Sequence, residues 1–278
     1  MPDEPIAPPP DTMRPIDRLL EAVRRLLGPG GCPWDRAQTH ATLKPYLIEE
    51  CHELLDAIDR GDPNAIREEL GDVLLQVALH SEMERAGGRF DFDAVAAGIA
   101  DKVIRRHAHV FGGTAPARCS AEALALWDRK KRAERGGGSL LDGIPASLPS
   151  LLHASKLSLR AAGAGFDWPD IASVRAKLDE ELRELDAAAA SGDSAAVRHE
   201  IGDVLFAAAN LARRLGHDAE ESLRECAARF RERFAAMEAE AVASGRPLGA
   251  AGDPAAPSRL LEELEEMWQR AKERLGRK

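Results

Sequence analysis

The sequence predicts an all-α protein built as a tandem pair of helical-bundle domains. Apolar residues recur at spacings of three and four along most of the chain, the signature of amphipathic helices. Aromatic residues make up only 4% while Ala, Leu, Glu and Arg dominate, which favours helices over sheets. A five-residue acidic pattern occurs twice with the same internal spacing. A chain of 278 residues is long enough for two domains, each burying its own core.

Residues 1–12, MPDEPIAPPPDT, are proline-rich and acidic with no apolar run, and read as a disordered tail rather than a signal peptide. The first domain is expected over 13–135. Its opening helix, 15–27, carries Ile16, Leu19, Leu20, Val23 and Leu27 and is stopped by GPGG at 28–31. A helix over 42–60 carries Leu43, Leu47, Leu54, Leu55 and Ile58. The turn RGDPN follows, with Asp62 as N-cap and Pro63 at the first helical position of a helix over 64–86. Further helices are expected over 93–107, before HAHVFGG, and over 120–135. The composition shift at 136–150 reads as a linker, and the second domain is expected over 151–278. Its helices are placed at 172–189, 194–215, 218–243 and from Ser258 onward, with SGDS in the place of RGDPN and Asp193 as the second cap.

Composition narrows the function. With 44% hydrophobic and 31% charged residues the chain is a soluble globular protein. A net charge of -9 argues against direct nucleic-acid binding, yet not against a small anionic substrate held by local cations or a metal. No apolar run approaches the ~20 residues that span a bilayer, so no membrane contact is expected. The four cysteines form no C-x-x-C pair and read as reduced thiols of a cytoplasmic protein.

The duplication is concrete. Glu49, Glu50, Glu53, Glu69 and Asp72 recur 131 positions later as Glu180, Glu181, Glu184, Glu200 and Asp203. Beyond this block the offset drifts: Lys102 and Arg106 match Arg229 and Arg233, and Trp127 and Lys131 match Trp268 and Lys272. Residues three or four apart share a helix face, so Glu181 pairs with Glu184 and Glu200 with Asp203. A short turn makes the two helices an antiparallel hairpin that brings the pairs face to face, as it does for Glu50, Glu53, Glu69 and Asp72. The acids border the apolar stripe of Leu178, Leu182 and Leu185 on one helix and Val197, Ile201 and Val204 on the other. Converging carboxylates repel, and a hard divalent cation removes the conflict; oxygen-only ligands favour Mg²⁺, with Mn²⁺ possible, over zinc. Such acids are usually solvated helix faces, but two copies in register, each with a glycine at the second pair (Gly71, Gly202), favour metal sites. A mid-helix glycine costs about 1 kcal/mol, which suggests close helix packing or ligand approach there.

E-E-x-x-E, fifteen residues, E-x-x-D resembles the all-α nucleoside triphosphate pyrophosphatase superfamily, which includes the MazG family. GCPWDRAQTHATLKPYLIEECHELLDAI, EELGDVLLQV, FDF and RRHAHVFG resemble the first half of a two-domain member. GFDW, KLDEELREL, HEIGDVLFAAANLAR and MWQRAK resemble the second. The resemblance implies hydrolysis of nucleoside triphosphates to NMP and pyrophosphate, with Mg²⁺, by a homodimer. It implies metal ligation by Glu181, Glu184, Glu200 and Asp203, and nucleotide contacts from Lys177, Glu180, Arg229, Arg233, Trp268 and Lys272. It also implies that the second half is the usual active one. Arg229 stands where the family pattern has lysine. The chemistry agrees: Arg229 and Arg233, i and i+4, form one cationic face for phosphate oxygens. Trp268 and Lys272 pair a stacking surface with a cation, although each cation taken alone is a common surface charge. In the first copy Lys102 and Arg106 are candidate phosphate contacts, and His107 and His109 read as helix-end or packing residues.

The expected mechanism is metal-assisted attack of water on a phosphoryl group, with Glu180 or Glu181 orienting or deprotonating the water. Two rivals stand beside it. Glu49-x-x-His52 matches one ligand element of a di-iron bundle, but Arg183 stands at the second position of His52. A helical scaffold whose metals only stabilise it is the other.

Overall fold

The computed structural model describes residues 6–112, 118–119, 122–123, 126–127, 130, 134, 138–245, 248 and 257–276, without the side chains of 257–260. Every regular element among them is a helix, so the protein is all-α. The helix expected over 120–135 lies largely outside the described residues, as do residues 1–5 of the tail. The chain divides into two compact units, Met1–Gly136 and Gly137–Lys278.

Unit 1 holds α1 (Pro15–Leu27), α2 (Pro33–Arg36), α3 (Lys44–Arg60), α4 (Pro63–Ala86), α5 (Phe92–Arg106) and α6 (Ala108–Phe111). Helices α3 and α4 form a hairpin, and α1 and α5 both pack on α4. Val23, Leu43, Ala78 and Leu79 are buried together, with Leu19, Leu20, Leu27, Leu75 and Met83 around them. Residues 6–12 form no helix, and Arg25 donates to the Ala7 carbonyl.

Unit 2 holds α7 (Ser150–Ala162), α8 (Ile171–Ser191), α9 (Ser194–Arg214), α10 (Ala219–Ala243) and α11 (Pro257–Leu275). The α8–α9 hairpin repeats α3–α4; α7 packs on α9 and α10, and α11 on α10. One core cluster here joins Ala154, Ala209 and Ala219, with Leu151 and Ala212 beside them, and Val174 and Met237 are buried as well. Helix α7 is an element beyond those the sequence predicts; its buried residues are the small Ala154 and Ser158. Small residues leave a weak hydrophobic period yet let helices approach closely. Arg160 of α7 donates to the carbonyls of Leu140 and Asp142, which binds part of the predicted linker to unit 2.

The apolar stripe expected inside the hairpin is partly outside. In this chain Leu182 is 42%, Ile201 45% and Leu205 50% exposed, and Ile48, Ile58 and Leu70 of unit 1 are likewise open. No helix among the described residues is long and apolar enough to cross a membrane.

Candidate active site

The turns set the register of the acids. Gly61 (φ 64°) and Gly192 (φ 73°) end α3 and α8 in the left-handed conformation that a residue without Cβ adopts freely. The next residue caps the following helix: Asp62 Oδ1 accepts from Asn64 N at 2.9 Å, and Asp193 Oδ1 from Ala195 N at 2.9 Å. Each helix thus folds straight back on its predecessor, and carboxylates equidistant from the turn come to face one another.

In unit 2, Glu181, Glu184 and Glu200 each offer an oxygen, all within 4.8 Å of one another, and Glu200 and Asp203 gather with His199 in the same way. His199 Nδ1 lies 3.1 Å from Asp203 Oδ2. In unit 1, Glu50, Glu53 and Glu69 repeat the cluster, and Asp72 is near enough to act on the Glu50 charge. The crowding is visible in the acidities. Partial loss of solvent, then the Glu181 carboxyl, raise Glu184 above the usual carboxylate range. Loss of solvent, then the Asp72 charge, raise Glu50, and loss of solvent, then Glu53, raise Glu69. Four carboxylates per hairpin, mutually repelling and offering oxygen donors, fit a hard divalent cation.

A cation of the protein's own stands beside the second cluster. Lys177 Nζ is 2.6 Å from Glu180 Oε1 and 2.9 Å from Glu181 Oε1, which raises the lysine and lowers Glu180. Next to it opens a cavity of about 530 Å³. Lys177, Glu181, Asp203, Asp167 and Arg213 are its charged lining residues, and Trp168, Phe166 and Phe206 its aromatic ones. Metal-ligand candidates and an aromatic-walled cavity therefore share a wall.

Of the residues expected at the site, Lys177, Glu180, Glu181, Glu184, Glu200 and Asp203 come together. Arg229, Arg233, Trp268 and Lys272 lie elsewhere in unit 2, on α10 and α11. The Trp268 ring meets Phe230 at 5.0 Å, Arg233 lies over it at 5.9 Å, and Arg229 pairs with Glu225 at 3.4 Å. Among the described residues no hydrogen bond or ion pair joins these four to the carboxylates. The Arg233–Trp268 contact has a counterpart in unit 1, where Arg106 lies over Trp127 at 5.5 Å and pairs with Glu134 at 2.5 Å. His107 closes α5, its Nδ1 2.8 Å from the Val103 carbonyl. His52 joins no ligand cluster among the described residues.

The two mid-helix glycines correct one expectation. A Cβ at Gly71 or Gly202 would meet nothing within 4 Å, so close packing inside the chain does not explain either. Sequence reasoning also passed over His199, Trp168, Phe206, Asn210 and Arg213. The signal for Asn210 was available: an amide interrupts the apolar face of α9 where α4 has Leu79.

The family model of the MazG nucleotide pyrophosphohydrolase domain matches residues 38–111 and 170–236, one stretch for each acidic hairpin. The chain is 44% identical over 266 residues to the nucleoside triphosphate pyrophosphohydrolase of Escherichia coli (strain K12), covering 94% of this chain and 98% of that protein. It is 39% identical over 259 residues to the nucleoside triphosphate pyrophosphohydrolase/pyrophosphatase MazG of Thermotoga maritima, covering 92% and 95%. A nucleoside triphosphate pyrophosphohydrolase of Mycolicibacterium smegmatis is 34% identical over 205 residues, covering 64% of this chain and 62% of that protein.

Proposed function

The chain belongs to the MazG nucleotide pyrophosphohydrolase family, and from that premise we propose that unit 2 hydrolyses nucleoside triphosphates to NMP and pyrophosphate with Mg²⁺. The observation that carries this reading is the shared wall, where Glu181 and Asp203 belong to both the acidic cluster and the cavity. A substrate must be anionic at one end and largely apolar at the other to fill such a site.

Glu181, Glu184, Glu200 and Asp203 are the proposed ligands. Mg²⁺ held there would neutralise triphosphate charge and polarise the phosphorus under attack. Lys177, now on Glu180 and Glu181, would exchange one carboxylate for a phosphate oxygen. That exchange frees Glu180, whose acidity the lysine strengthens while they are paired, to orient or deprotonate the attacking water; Glu181, a ligand as well, is the other candidate. Arg229 and Arg233 share a helix face suited to phosphate oxygens. Trp268 and Lys272 complete the proposed contact set, Trp268 in part by holding Arg233.

The active form in this reading is a cytoplasmic homodimer. The exposed Leu182, Ile201 and Leu205 of the hairpin, with Leu223 and Phe230 of α10, support an apolar face for a second copy. Four free thiols suit a reducing compartment. Unit 1 keeps Glu50, Glu53, Glu69 and Asp72 for a cation but differs on the nucleotide side, with Tyr46 in the register of Lys177 and buried Leu79 in that of Asn210.

The test is pyrophosphate release by the purified chain from a mixture of nucleoside triphosphates with and without Mg²⁺. Mg²⁺-dependent release is expected. Release of orthophosphate alone, or no release, would remove the reading and leave a metal-stabilised helical scaffold.

A further inference from the structure

The cavity of unit 2 has a wall that triphosphate chemistry does not use. Asn210 lines it, on the same helix as Asp203 and half-buried. Arg213 donates to Asn210 Oδ1 twice, from Nε at 3.0 Å and from Nη2 at 2.7 Å. A guanidinium has only donors, so the atom it meets is the amide oxygen, and the NH₂ group is turned away from it. Arg213 is itself held: its Nη2 is 2.6 Å from Asp167 Oδ1, and Arg214 Nη1 is 3.3 Å from Oδ2 of the same carboxylate. Those hydrogen bonds, Arg213 first, lower the Asp167 carboxyl below its usual range, so the anchor is ionised. Among the described residues the Asn210 NH₂ donates to no acceptor. A chain of fixed charges thus holds one neutral donor at a cavity walled by Trp168 and Phe206.

The register of unit 1 supplies an independent contrast. The counterparts of Asn210 and Arg213 are Leu79, 5% exposed in the core, and Glu82, whose carboxylate is spent on Arg85 at 2.6 Å. At the matching positions of unit 1 the relay of unit 2 is replaced by a core leucine and a glutamate paired within its own helix.

The geometry points to Asn210 as the residue that reads the nucleobase: its amide N–H donates to a ring nitrogen or carbonyl on the base edge, while Trp168 and Phe206 cover the base face. Arg213 sets which way the amide points. This rests on the triphosphate reading of the neighbouring carboxylates, because it assigns the two ends of one substrate to the two sides of one cavity. A π-face with one oriented donor accepts several bases and ranks them by the acceptor each presents.

Two variants of the full chain separate the possibilities. Asn210→Asp keeps an oxygen for Arg213 and replaces the donor with an acceptor; Asn210→Leu installs the residue of unit 1. Free adenosine, guanosine, cytidine and uridine are titrated in EDTA by calorimetry and by tryptophan fluorescence, which needs no turnover. Pyrophosphate release is then measured for the four triphosphates with Mg²⁺. Wild type should bind at least one nucleoside, quenching a signal that Trp168→Phe removes. Asn210→Leu should weaken that binding about tenfold, the scale of one lost hydrogen bond. Asn210→Asp, folded and with its Arg213 contact kept, should change the order of the four kcat/KM values. Pyrophosphate release with nucleoside binding absent, or equal in all variants, or with the base order unchanged in Asn210→Asp, overturns the inference and leaves the proposed function standing. Nucleoside binding that depends on Asn210 in a chain that releases no pyrophosphate does the reverse.

Discussion

The hairpins α3–α4 and α8–α9 have the same glycine–aspartate turn, the same cap and the same acidic register, yet they enclose different interiors. Where α8 carries Lys177, ion-paired to Glu180 and Glu181, α3 carries Tyr46, whose ring meets Trp34 edge-on at 5.6 Å. Where α9 carries Asn210, α4 buries Leu79 among Val23, Leu43 and Ala78. A buried leucine against apolar neighbours contributes on the order of 2 kcal/mol to stability, whereas an asparagine there must keep its polar atoms satisfied. At these two positions unit 1 has a core leucine and an aromatic ring, and unit 2 an amide and an ammonium group. The carboxylates alone do not tell them apart.

The largest expected effect tests that division directly. Glu184→Gln removes a charge from the cluster beside the cavity and should lower pyrophosphate release roughly 10²–10³-fold, while Glu53→Gln, its counterpart, should leave most of it. Steady-state rates of both variants decide: a reversed pattern would move the active site to unit 1, and equal partial losses would make both units catalytic.

Metal binding should be common to both halves even if catalysis is not. Mg²⁺ at one hundred times its dissociation constant adds about 2.7 kcal/mol per site to the folded state. Melting curves with Mg²⁺ and with EDTA should differ, and Glu53→Gln and Glu184→Gln should each lose the response of one unit. A melting temperature indifferent to both reagents would count against either cluster as a metal site.

Gly71 and Gly202 offer a finer comparison. Each is an open mid-helix position, so alanine should raise stability by up to about 1 kcal/mol in both units. If a second copy or the nucleotide occupies the space over Gly202, Gly202→Ala will gain stability yet lose dimer or turnover. Gel filtration and kinetics of the two alanine variants distinguish these; a loss of stability at Gly71 would contradict the open face.

The smallest effect belongs to unit 1 alone. His80 accepts or donates a 2.7 Å contact with His40, whose other nitrogen is 2.6 Å from Glu84, itself paired with Arg89. Loss of solvent first, then the His40 charge, lower His80 below its ordinary value. A lowered folded value means the unfolded chain takes the proton first, so stability is intact above about pH 6.5 and falls as pH drops through the folded value. Glu84, held at about 2 chiefly by Arg89, adds a second loss that begins below its ordinary range and is complete only near pH 2. Unit 2 has Leu211 and Leu215 in these places. The melting-temperature difference between about pH 7.5 and about pH 5.5 should therefore shrink in His80→Leu; an unchanged difference would exclude the pair as its source.

Local physics made much of this molecule readable in one dimension. The caps at Asp62 and Asp193 and the bounds of the long helices follow from residues within one or two turns of each other. Helical periodicity and a repeated turn are likewise enough to bring Glu181, Glu184 and Glu200 together. Helix α7 escaped because its buried face is small, and the outward-facing Leu182 and Ile201 looked like core because periodicity marks a stripe without saying what covers it. The cavity could not be read at all. Its walls come from the 138–149 segment, α7, the loop around Trp168, α8 and α9, which only packing brings together. Whether a position such as 79 or 210 lines a core or a binding site depends on neighbours remote in sequence, and that choice, which separates the two hairpins, belongs to the tertiary structure.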